Sequence, residues 1–285
     1  MSWQKVKKYR HSVNLSKSIS VSSASKLDDN IFVATTDKKL LKFNINADST
    51  INGKYTYVHG LPTKDIKFVG FMKGRVVVLP KDSWDIYVLD DAKSTCNTLD
   101  VNSDYDLKEC VMEAIHSKNH KSCKCHECYN LIGFGEFYGF NLFVQSCCKH
   151  NKDQRSLYVI KANMSSFIIK DIEIINEYNY YTLCTDNGIS DSDAHETIFT
   201  NVYYDDNKVY LLSTNGKHSN LWKMLYYNNI SYLGPPEPVA RLSKHAKGMY
   251  AQGGNLIIFS NSSKDKKLQY YLIEFCDESH KNSDK

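Results

Sequence analysis

The sequence of 285 residues concentrates side chains that could bind a metal ion in one short segment. Cysteine and histidine recur there at short spacing, at Cys110, His116, His120, Cys123, Cys125, His126 and Cys128. A second group follows nearby, at Cys147, Cys148 and His150. Thiolate and imidazole groups are the usual ligands of tetrahedral zinc. We therefore predict a structural zinc site with three ligands from the first group, Cys123, Cys125 and Cys128, and a fourth from the second group.

Two other interpretations of these cysteines stay open. Their spacing is Cys-x-Cys-x-x-Cys, whereas many zinc sites use paired Cys-x-x-Cys motifs. Free cysteines often behave as small buried apolar residues, and an oxidising compartment would allow a disulfide within the group. If zinc does bind, four protein ligands would close the site, so the metal would fix a loop rather than carry out chemistry.

An acidic stretch near residue 190 is a second candidate for ion binding. It contains several oxygen ligands, at Asp186, Asp191, Asp193 and Glu196, together with His195. Calcium takes six to eight oxygen ligands, but the order of these residues does not match an EF-hand loop. A solvated acidic loop is the simpler interpretation.

The remaining chemical candidates are single titratable residues that precede or end apolar stretches. Asp65, Glu136 and His245 are the main ones, with Lys67 and Lys247 beside them. A histidine near a carboxylate can act as a general base, and Asp191 and Asp193 could join such a site. Solvated or hydrogen-bonded side chains without a catalytic role are the alternative. The sequence contains no glycine-rich phosphate loop, nucleophile elbow or two-histidine helix motif.

The elements that would position these residues are five similar hairpins. Each has a short apolar strand, a polar turn and a second strand with alternating apolar positions, and they begin at Asn30, Arg75, Asn141, Lys208 and Asn255. An apolar stretch rich in small residues precedes each hairpin, and a fourth strand follows four of them. Regular repetition of short strands with turn signals indicates an all-β repeat fold.

This arrangement resembles β-propellers in general, in strand order and repeat length. The resemblance implies a five-bladed propeller spanning residues 1–276 as a single domain, followed by a polar tail at 277–285. The N-terminal run at 6–15 has no partner of its own, so we expect it to supply the outer strand of the last blade and close the ring. A large β-sandwich is the alternative. No WD, kelch or Asp-box signature is present, so no family's functional residues can be transferred.

The propeller prediction also locates the functional face. The loops that precede each innermost strand and those that join the second and third strands share one end of a propeller. Two long insertions, at about 102–130 and 176–196, are predicted to lie on that end beside the mouth of the axial channel. Long loops on a rigid scaffold often carry function.

The composition of the chain argues against some classes of partner. The net charge is +4, and only four of the 36 basic residues are arginine, which argues against a dedicated nucleic-acid reader because arginine dominates phosphate and guanine recognition. No stretch approaches the length of a membrane span, and the N-terminal segment lacks the apolar core of a signal peptide. With nine cysteines, an odd number, we expect a cytoplasmic protein with reduced thiols, acting as a monomer.

Three functions remain in competition. The first is a non-enzymatic module that binds another protein through the insertion face. The second is a hydrolase or lyase at the channel mouth, which requires at least three of the acid and base candidates to converge on one point. The third is lectin-like carbohydrate binding, in which Trp84, Trp222 or Tyr250 would stack on sugar rings.

Overall fold

The computed structural model describes nine stretches of the chain, and these form five separate sheets. The described stretches are residues 6–46, 50–90, 95–118, 128–136, 139–146, 155–205, 207–227, 232–260 and 266–275. Each sheet is built on an antiparallel meander in which most paired strands follow one another in sequence. We call the sheets blades 1 to 5 in chain order.

The first two blades have four strands each. Blade 1 contains β2 (Val21–Leu27), β3 (Asn30–Thr35), β4 (Leu40–Ile45) and β5 (Ile51–Val58). Blade 2 contains β6 (Ile66–Met72), β7 (Arg75–Pro80), β8 (Tyr87–Asp90) and β9 (Thr95–Thr98). In both, the first two strands are mostly buried and the exposed positions concentrate in the outermost strand. The second strands, β3 and β7, are accordingly mostly apolar, whereas β2 is rich in serine and the outermost strands carry more polar side chains.

The other three blades carry additions to the same plan. Blade 3 contains β11 (Tyr129–Glu136), β12 (Phe140–Ser146), β13 (Ser156–Ser165) and β14 (Ile168–Asn179), with β10 (Asp100–Val101) parallel to β14. Blade 4 contains β15 (Ile198–Asp205), β16 (Lys208–Thr214), β17 (His218–Tyr227) and β19 (Glu237–Ser243), with the short β18 (Tyr232–Leu233) paired to the end of β17. Blade 5 contains β20 (Ala246–Gln252), β21 (Asn255–Ser260), β22 (Lys267–Phe275) and β1 (Val6–Asn14).

The five innermost strands close a ring. β2, β6, β11, β15 and β20 pack side by side in that order, and β20 packs against β2. The ring is closed by the N-terminal strand, because β1 pairs with β22 from Val6 opposite Phe275 to Asn14 opposite Lys267. The predicted five-bladed propeller and its closure are thus confirmed, and the β-sandwich alternative is wrong. We call the end at which the innermost strands begin the mouth end.

Close packing between blades depends on small residues near the axis. Gly133 in β11 faces both neighbouring blades, since a Cβ atom placed on it would lie 2.4 Å from Val202 Cγ1 and 2.8 Å from Phe68 Cε2. The rings of Phe68 and Phe134 meet edge to face with centroids 4.8 Å apart, a favoured geometry for aromatic pairs. The apolar core therefore continues from one blade to the next.

The first insertion contains a helix that the sequence interpretation missed. Helix α1 (Leu107–Lys118) begins with a reciprocal cap, in which Glu109 N donates to Asp106 Oδ1 at 2.9 Å and Asp106 N donates to Glu109 Oε2 at 3.4 Å. Such a capping box satisfies backbone groups that the first helical turn leaves unpaired. Its apolar side chains are buried in the blade 3 core, at Leu107, Val111, Met112 and Ile115.

The position of α1 corrects the prediction that residues 102–130 lie on the mouth end. β10, which leads into α1, pairs with Ile168 and Ile169 at the start of β14, the end away from the mouth. The helix then packs on β14, and Lys118 Nζ donates to Ile174 O at 2.7 Å. The described part of this insertion lies beside blade 3, because the apolar face of α1 is buried there. Residues 119–127 lie outside the described stretches.

The second insertion does lie at the mouth end. It forms α2 (Tyr180–Asp186) and α3 (Asp191–Glu196) between the end of β14 and the start of β15. Arg155 Nη1, which precedes β13, donates to His195 O at 2.9 Å, and Lys217 Nζ in the β16–β17 turn contacts Asp193 Oδ1 at 3.1 Å. These contacts join α3 to the loops between the second and third strands of blades 3 and 4. Among the described residues no helix is both long and apolar enough to cross a bilayer.

Candidate functional site

A cavity of about 420 Å³ lies at the mouth end, and every blade contributes to it. We call it the mouth cavity. Its lining comes from the starts of the five innermost strands and from the loops after the second strands: Val21, Ser22, Thr36, Asp65, Ile66, Lys67, Lys81, Asp82, Asn130, Ile132, Gln145, Ile198, Phe199, Thr200, Asn201, Lys247 and Gly248. Small-ligand sites usually enclose about 300–1,000 Å³, so its size suits a small ligand or part of a larger one.

The mouth cavity is shaped by a β-bulge that recurs in all five blades. In each innermost strand the pairing with the second strand skips one residue near the strand start. The skipped residues are Ser22, Lys67, Ile132, Thr200 and Gly248, and all of them line the cavity. A bulge leaves one residue unpaired and changes the direction of its side chain. The ring of bulges thus turns one residue per blade toward a common space.

Blade 5 shows how tightly the backbone is packed at the bulge. Gly248 has a φ of +48°, and a Cβ atom there would lie 2.3 Å from the backbone nitrogen of Ala24. A residue with a side chain would be strained at this φ and would collide with the neighbouring blade. Glycine at this position therefore lets blade 5 approach blade 1 and fixes the position of Lys247 beside it.

Hydrogen bonds between blades hold the mouth cavity together. Ser22 Oγ of blade 1 donates to Ile66 O of blade 2 at 2.7 Å, and Lys67 Nζ of blade 2 donates to Leu131 O of blade 3 at 2.9 Å. In both cases the bulge residue of one blade reaches the residue before the bulge of the next blade. Deeper in the ring, Ser23 Oγ accepts from Val69 N at 3.2 Å and from Asn201 Nδ2 at 3.1 Å.

The charged lining residues of the mouth cavity leave a positive excess. Three lysines, Lys67, Lys81 and Lys247, stand against two aspartates, Asp65 and Asp82. Lys247 forms no ion pair with any residue in the described part of the chain. Burial lowers the pKa of Lys247 below its ordinary value because its ammonium group has lost water. Lys247 is thus a partly desolvated cation that no residue in the described part of the chain pairs with.

Of the predicted acid and base residues, Glu136 lies apart from the others. Asp65 lines the mouth cavity, but His245 lies exposed in the β19–β20 turn and is not part of the lining. Glu136 ends β11 at the opposite end of the propeller, where its Oε2 accepts from Lys73 N at 2.5 Å. Asp191 and Asp193 belong to α3. Strand direction thus places Glu136 away from the mouth and removes it from any acid and base group there, whereas the convergence of three residues that a hydrolase or lyase would require stays a prediction for the other four.

Asp193 takes part in a surface contact instead. The hydrogen bond from Lys217 holds the pKa of Asp193 below its ordinary value, and raises the pKa of the Lys217 ammonium. The Ser190 side chain caps the start of α3 by accepting from Asp193 N at 3.4 Å. The acidic loop thus serves to begin a short helix and to anchor it to blade 4.

Most of the predicted zinc ligands lie outside the described residues, namely Cys123, Cys125, Cys148 and His150, together with Cys147. Cys128 is described, and it is buried in the blade 3 core beside α1. Within the described stretches, no three His, Cys, Asp or Glu residues are arranged to hold a metal ion. The zinc site therefore stays a prediction.

The aromatic residues named for sugar stacking are not on the surface. Trp222 and Tyr250 are both 0% exposed, and Trp222 Nε1 donates to Ser213 Oγ at 2.8 Å inside blade 4. Trp84 is partly buried and packs against the core. A stacking role for Trp222 and Tyr250 is excluded because strand alternation directs them between blades.

The sequence interpretation missed the bulge ring, including Ser22 and Thr200, and the deeper pair Ser23 and Asn201. A bulge depends on register between strands, which a single strand does not reveal. The available signal was the excess of small and polar residues at the starts of the innermost strands. From the sequence alone, this excess of small residues is explained equally well by close packing of the blades around the axis.

Comparison with known proteins finds similar solved structures but gives no family. The chain is similar to the PQQ domain of pyranose dehydrogenase from Coprinopsis cinerea, with 12% identity, 95% of this chain and 97% of that chain covered, and a TM-score of 0.48. It is also similar to the β-propeller domain of Nup133 from Vanderwaltozyma polyspora, with 10% identity, coverage of 89% and 71%, and a TM-score of 0.41. These likenesses concern the fold alone. No protein-family model and no curated protein matches the chain.

Proposed function

We propose that this propeller is a non-enzymatic module that binds a protein partner on its mouth end, with the mouth cavity at the centre of the interface. The observation that carries the proposal is the ring of five bulges, which directs one residue from each blade into one cavity. Strand pairing alone does not require an extra residue in every innermost strand.

Two features favour binding over catalysis. Glu136 lies at the far end, away from the other candidate acids and bases, so it cannot share a substrate atom with them. The rim also exposes an apolar side chain, Ile198, which is 40% exposed at the start of β15. Helix α3 stands next to this position and widens the surface beyond the cavity itself. Apolar residues at the centre of a polar rim are typical of protein interfaces.

Site-specific photo-crosslinking tests this proposal. The photoreactive residue p-benzoylphenylalanine would replace Ile198 at the mouth, or Tyr232 near the opposite end as a control. Tyr232 is a suitable match because its exposure, 41%, is close to that of Ile198 at 40%. Irradiation would be carried out in cells that produce the protein, followed by mass spectrometry of the crosslinked species.

We expect a discrete protein adduct from position 198 that is absent from position 232. Added unlabelled wild-type propeller should compete with it. Adducts of equal yield at both positions, or none at position 198, would refute a partner-binding mouth. Turnover of an ester, a glycoside or a phosphate ester by the purified chain, abolished by Asp65→Asn, would support the hydrolase alternative instead.

A further inference from the structure

We propose that the mouth cavity recognises a carboxylate group, carried by an acidic side chain next to an apolar residue on the partner, with Lys247 and Lys67 as its cationic contacts. This inference rests on the proposed function, since it names the chemistry by which the mouth would select its partner. The juxtaposition that carries it is an uncompensated lysine beside an exposed apolar side chain in one cavity.

Lys247 supplies the first ammonium group of the mouth cavity. It lies directly before the bulge residue of blade 5, is partly buried, and has no ion pair with a described residue. Burying a cation without a countercharge is costly. An anion in the cavity would give the ammonium group of Lys247 a charged partner in place of the water it has lost. The lowered pKa of Lys247 agrees with this desolvation.

Lys67 supplies a second ammonium group in the same cavity. It is the bulge residue of blade 2, and its Nζ is held by Leu131 O of blade 3 at 2.9 Å. Blade 1 lies between blades 5 and 2 in the ring, so the two lysines come from either side of Ser22. A single small anion in the cavity could interact with both, because a carboxylate has two oxygens that accept hydrogen bonds.

The charge balance favours a carboxylate over a phosphate. Among the described lining residues, three lysines against two aspartates leave one net positive charge. A carboxylate carries one negative charge and would neutralise this excess. A phosphate monoester carries about −1.5 to −2 at pH 7, which would leave excess negative charge in a partly enclosed space. The described part of the lining also contains no arginine, the residue best suited to bidentate phosphate binding.

The apolar part of the lining indicates what accompanies the carboxylate. Ile198 is exposed at the rim, and the buried Ile132 and Phe199 also line the cavity. An aliphatic side chain next to the acidic residue would bury this surface on binding. The recognised unit is therefore a short segment with an acidic and an apolar residue, rather than a free ion.

Peptide binding followed by NMR chemical-shift titration tests the inference. The probe is the N-acetylated, C-amidated tripeptide Leu-Glu-Leu, and its uncharged counterpart is Leu-Gln-Leu. Free glutarate and inorganic phosphate serve as further probes at the same ionic strength. The variants are Lys247→Gln and the double variant Lys67→Gln/Lys247→Gln. Lys208→Gln removes the same charge from an exposed lysine at the far end and is the matched control.

We expect the wild-type chain to bind Leu-Glu-Leu at least about tenfold more tightly than Leu-Gln-Leu, because only the carboxylate can form charge-assisted hydrogen bonds with the two ammonium groups. The double variant should lose this preference, and Lys208→Gln should keep it. The single Lys247→Gln variant gives the same test if the double variant does not fold. An equal affinity for the two peptides, or an unchanged preference in the double variant, would overturn the inference.

The other probes and the crosslinking separate the remaining outcomes. Glutarate binding as tightly as Leu-Glu-Leu would show that the cavity takes a free dicarboxylate, and tighter phosphate binding would show that a carboxylate is not selected. A position 198 adduct that persists in the double variant would keep the proposed function and remove this inference. Lysine-dependent peptide binding without a position 198 adduct would support carboxylate recognition and remove the proposed protein-binding function.

Discussion

The contact of Gly133 with its neighbouring blades leads to a quantitative prediction about how the ring is packed. In Gly133→Ala, the added Cβ would lie 2.4 Å from Val202 Cγ1 and 2.8 Å from Phe68 Cε2. Carbon atoms in contact are normally about 3.5–4.0 Å apart, so Val202 would have to move by roughly 1 Å or more. Both neighbours are fully buried, and the strands that carry them belong to different blades.

The expected loss of stability follows from two opposing effects. Overpacking a well-packed core costs about 1–3 kcal/mol. Replacing glycine with alanine stiffens the unfolded chain and returns about 0.4–1 kcal/mol. We therefore expect Gly133→Ala to lower the free energy of unfolding by about 1–2 kcal/mol, measured by urea denaturation with an unchanged m-value.

Two companion variants make this test specific. Gly234→Ala places its Cβ 3.2 Å from Cε2 of the exposed Tyr227 side chain, which can move aside, so its effect should stay within about 0.5 kcal/mol. Val202→Ala removes the atom that collides, so the double variant Gly133→Ala/Val202→Ala should be more stable than the sum of the single effects by about 0.5 kcal/mol or more. A neutral Gly133→Ala variant, or strictly additive effects, would refute the packing argument.

Three further predictions concern single side chains. Cys184 is 0% exposed and burial raises its pKa to about 12, so native-state alkylation followed by mass spectrometry should label Cys110 and leave Cys184 unmodified; rapid labelling of Cys184 would contradict its burial. NMR titration should give Asp193 a pKa below its ordinary value of 3.8, and Lys217→Gln should raise it. Because this pKa is lowered by folding, the contact stabilises the fold above the ordinary pKa of aspartate and loses that contribution as the pH falls through the lowered value; an identical Asp193 pKa in both proteins would exclude the contact in solution. If the cysteine-rich segment binds zinc, elemental analysis should find one equivalent of metal and a chelator should expose the ligand thiols together; freely reactive thiols in the untreated protein would dismiss the site formed by Cys123, Cys125, Cys128 and Cys148 or His150.

The ring of blades was predictable because the sequence repeats its strand pattern five times. The hairpins starting at Asn30 and Asn255, for example, correspond to the pairs β3–β4 and β21–β22. Closure by β1 was predictable by elimination, since the last hairpin lacked an outer strand and the N-terminal run lacked a partner. These inferences depend on local alternation and on counting strands, both of which a sequence displays directly.

Helix α1 could have been recognised from the sequence, although it was not. Asp106 and Glu109 have the spacing of a capping box, and Leu107, Val111 and Ile115 recur every four residues. This periodicity predicts an amphipathic helix whose apolar side must be covered. The insertion was placed at the mouth because it precedes the innermost strand of blade 3, and the nearby cysteines favoured metal binding over a helix.

The mouth cavity could not be predicted in the same way, because its geometry depends on register between strands. In the sequence, Lys67 stands between Ile66 and Phe68 as an exposed strand residue would. Only the register between β6 and β7, which skips Lys67, makes it a bulge. Five different residue types occupy the equivalent positions, so no side-chain motif marks them; the property they share is a backbone offset. The offset recurs in every blade while the side chain at the bulge differs, and Ser22 and Lys67 use theirs for hydrogen bonds to the next blade. At Gly248, the positive φ and the close approach to the backbone of Ala24 exclude any larger residue. Lys247, one position earlier, is therefore the side chain that blade 5 contributes to the lining of the mouth cavity.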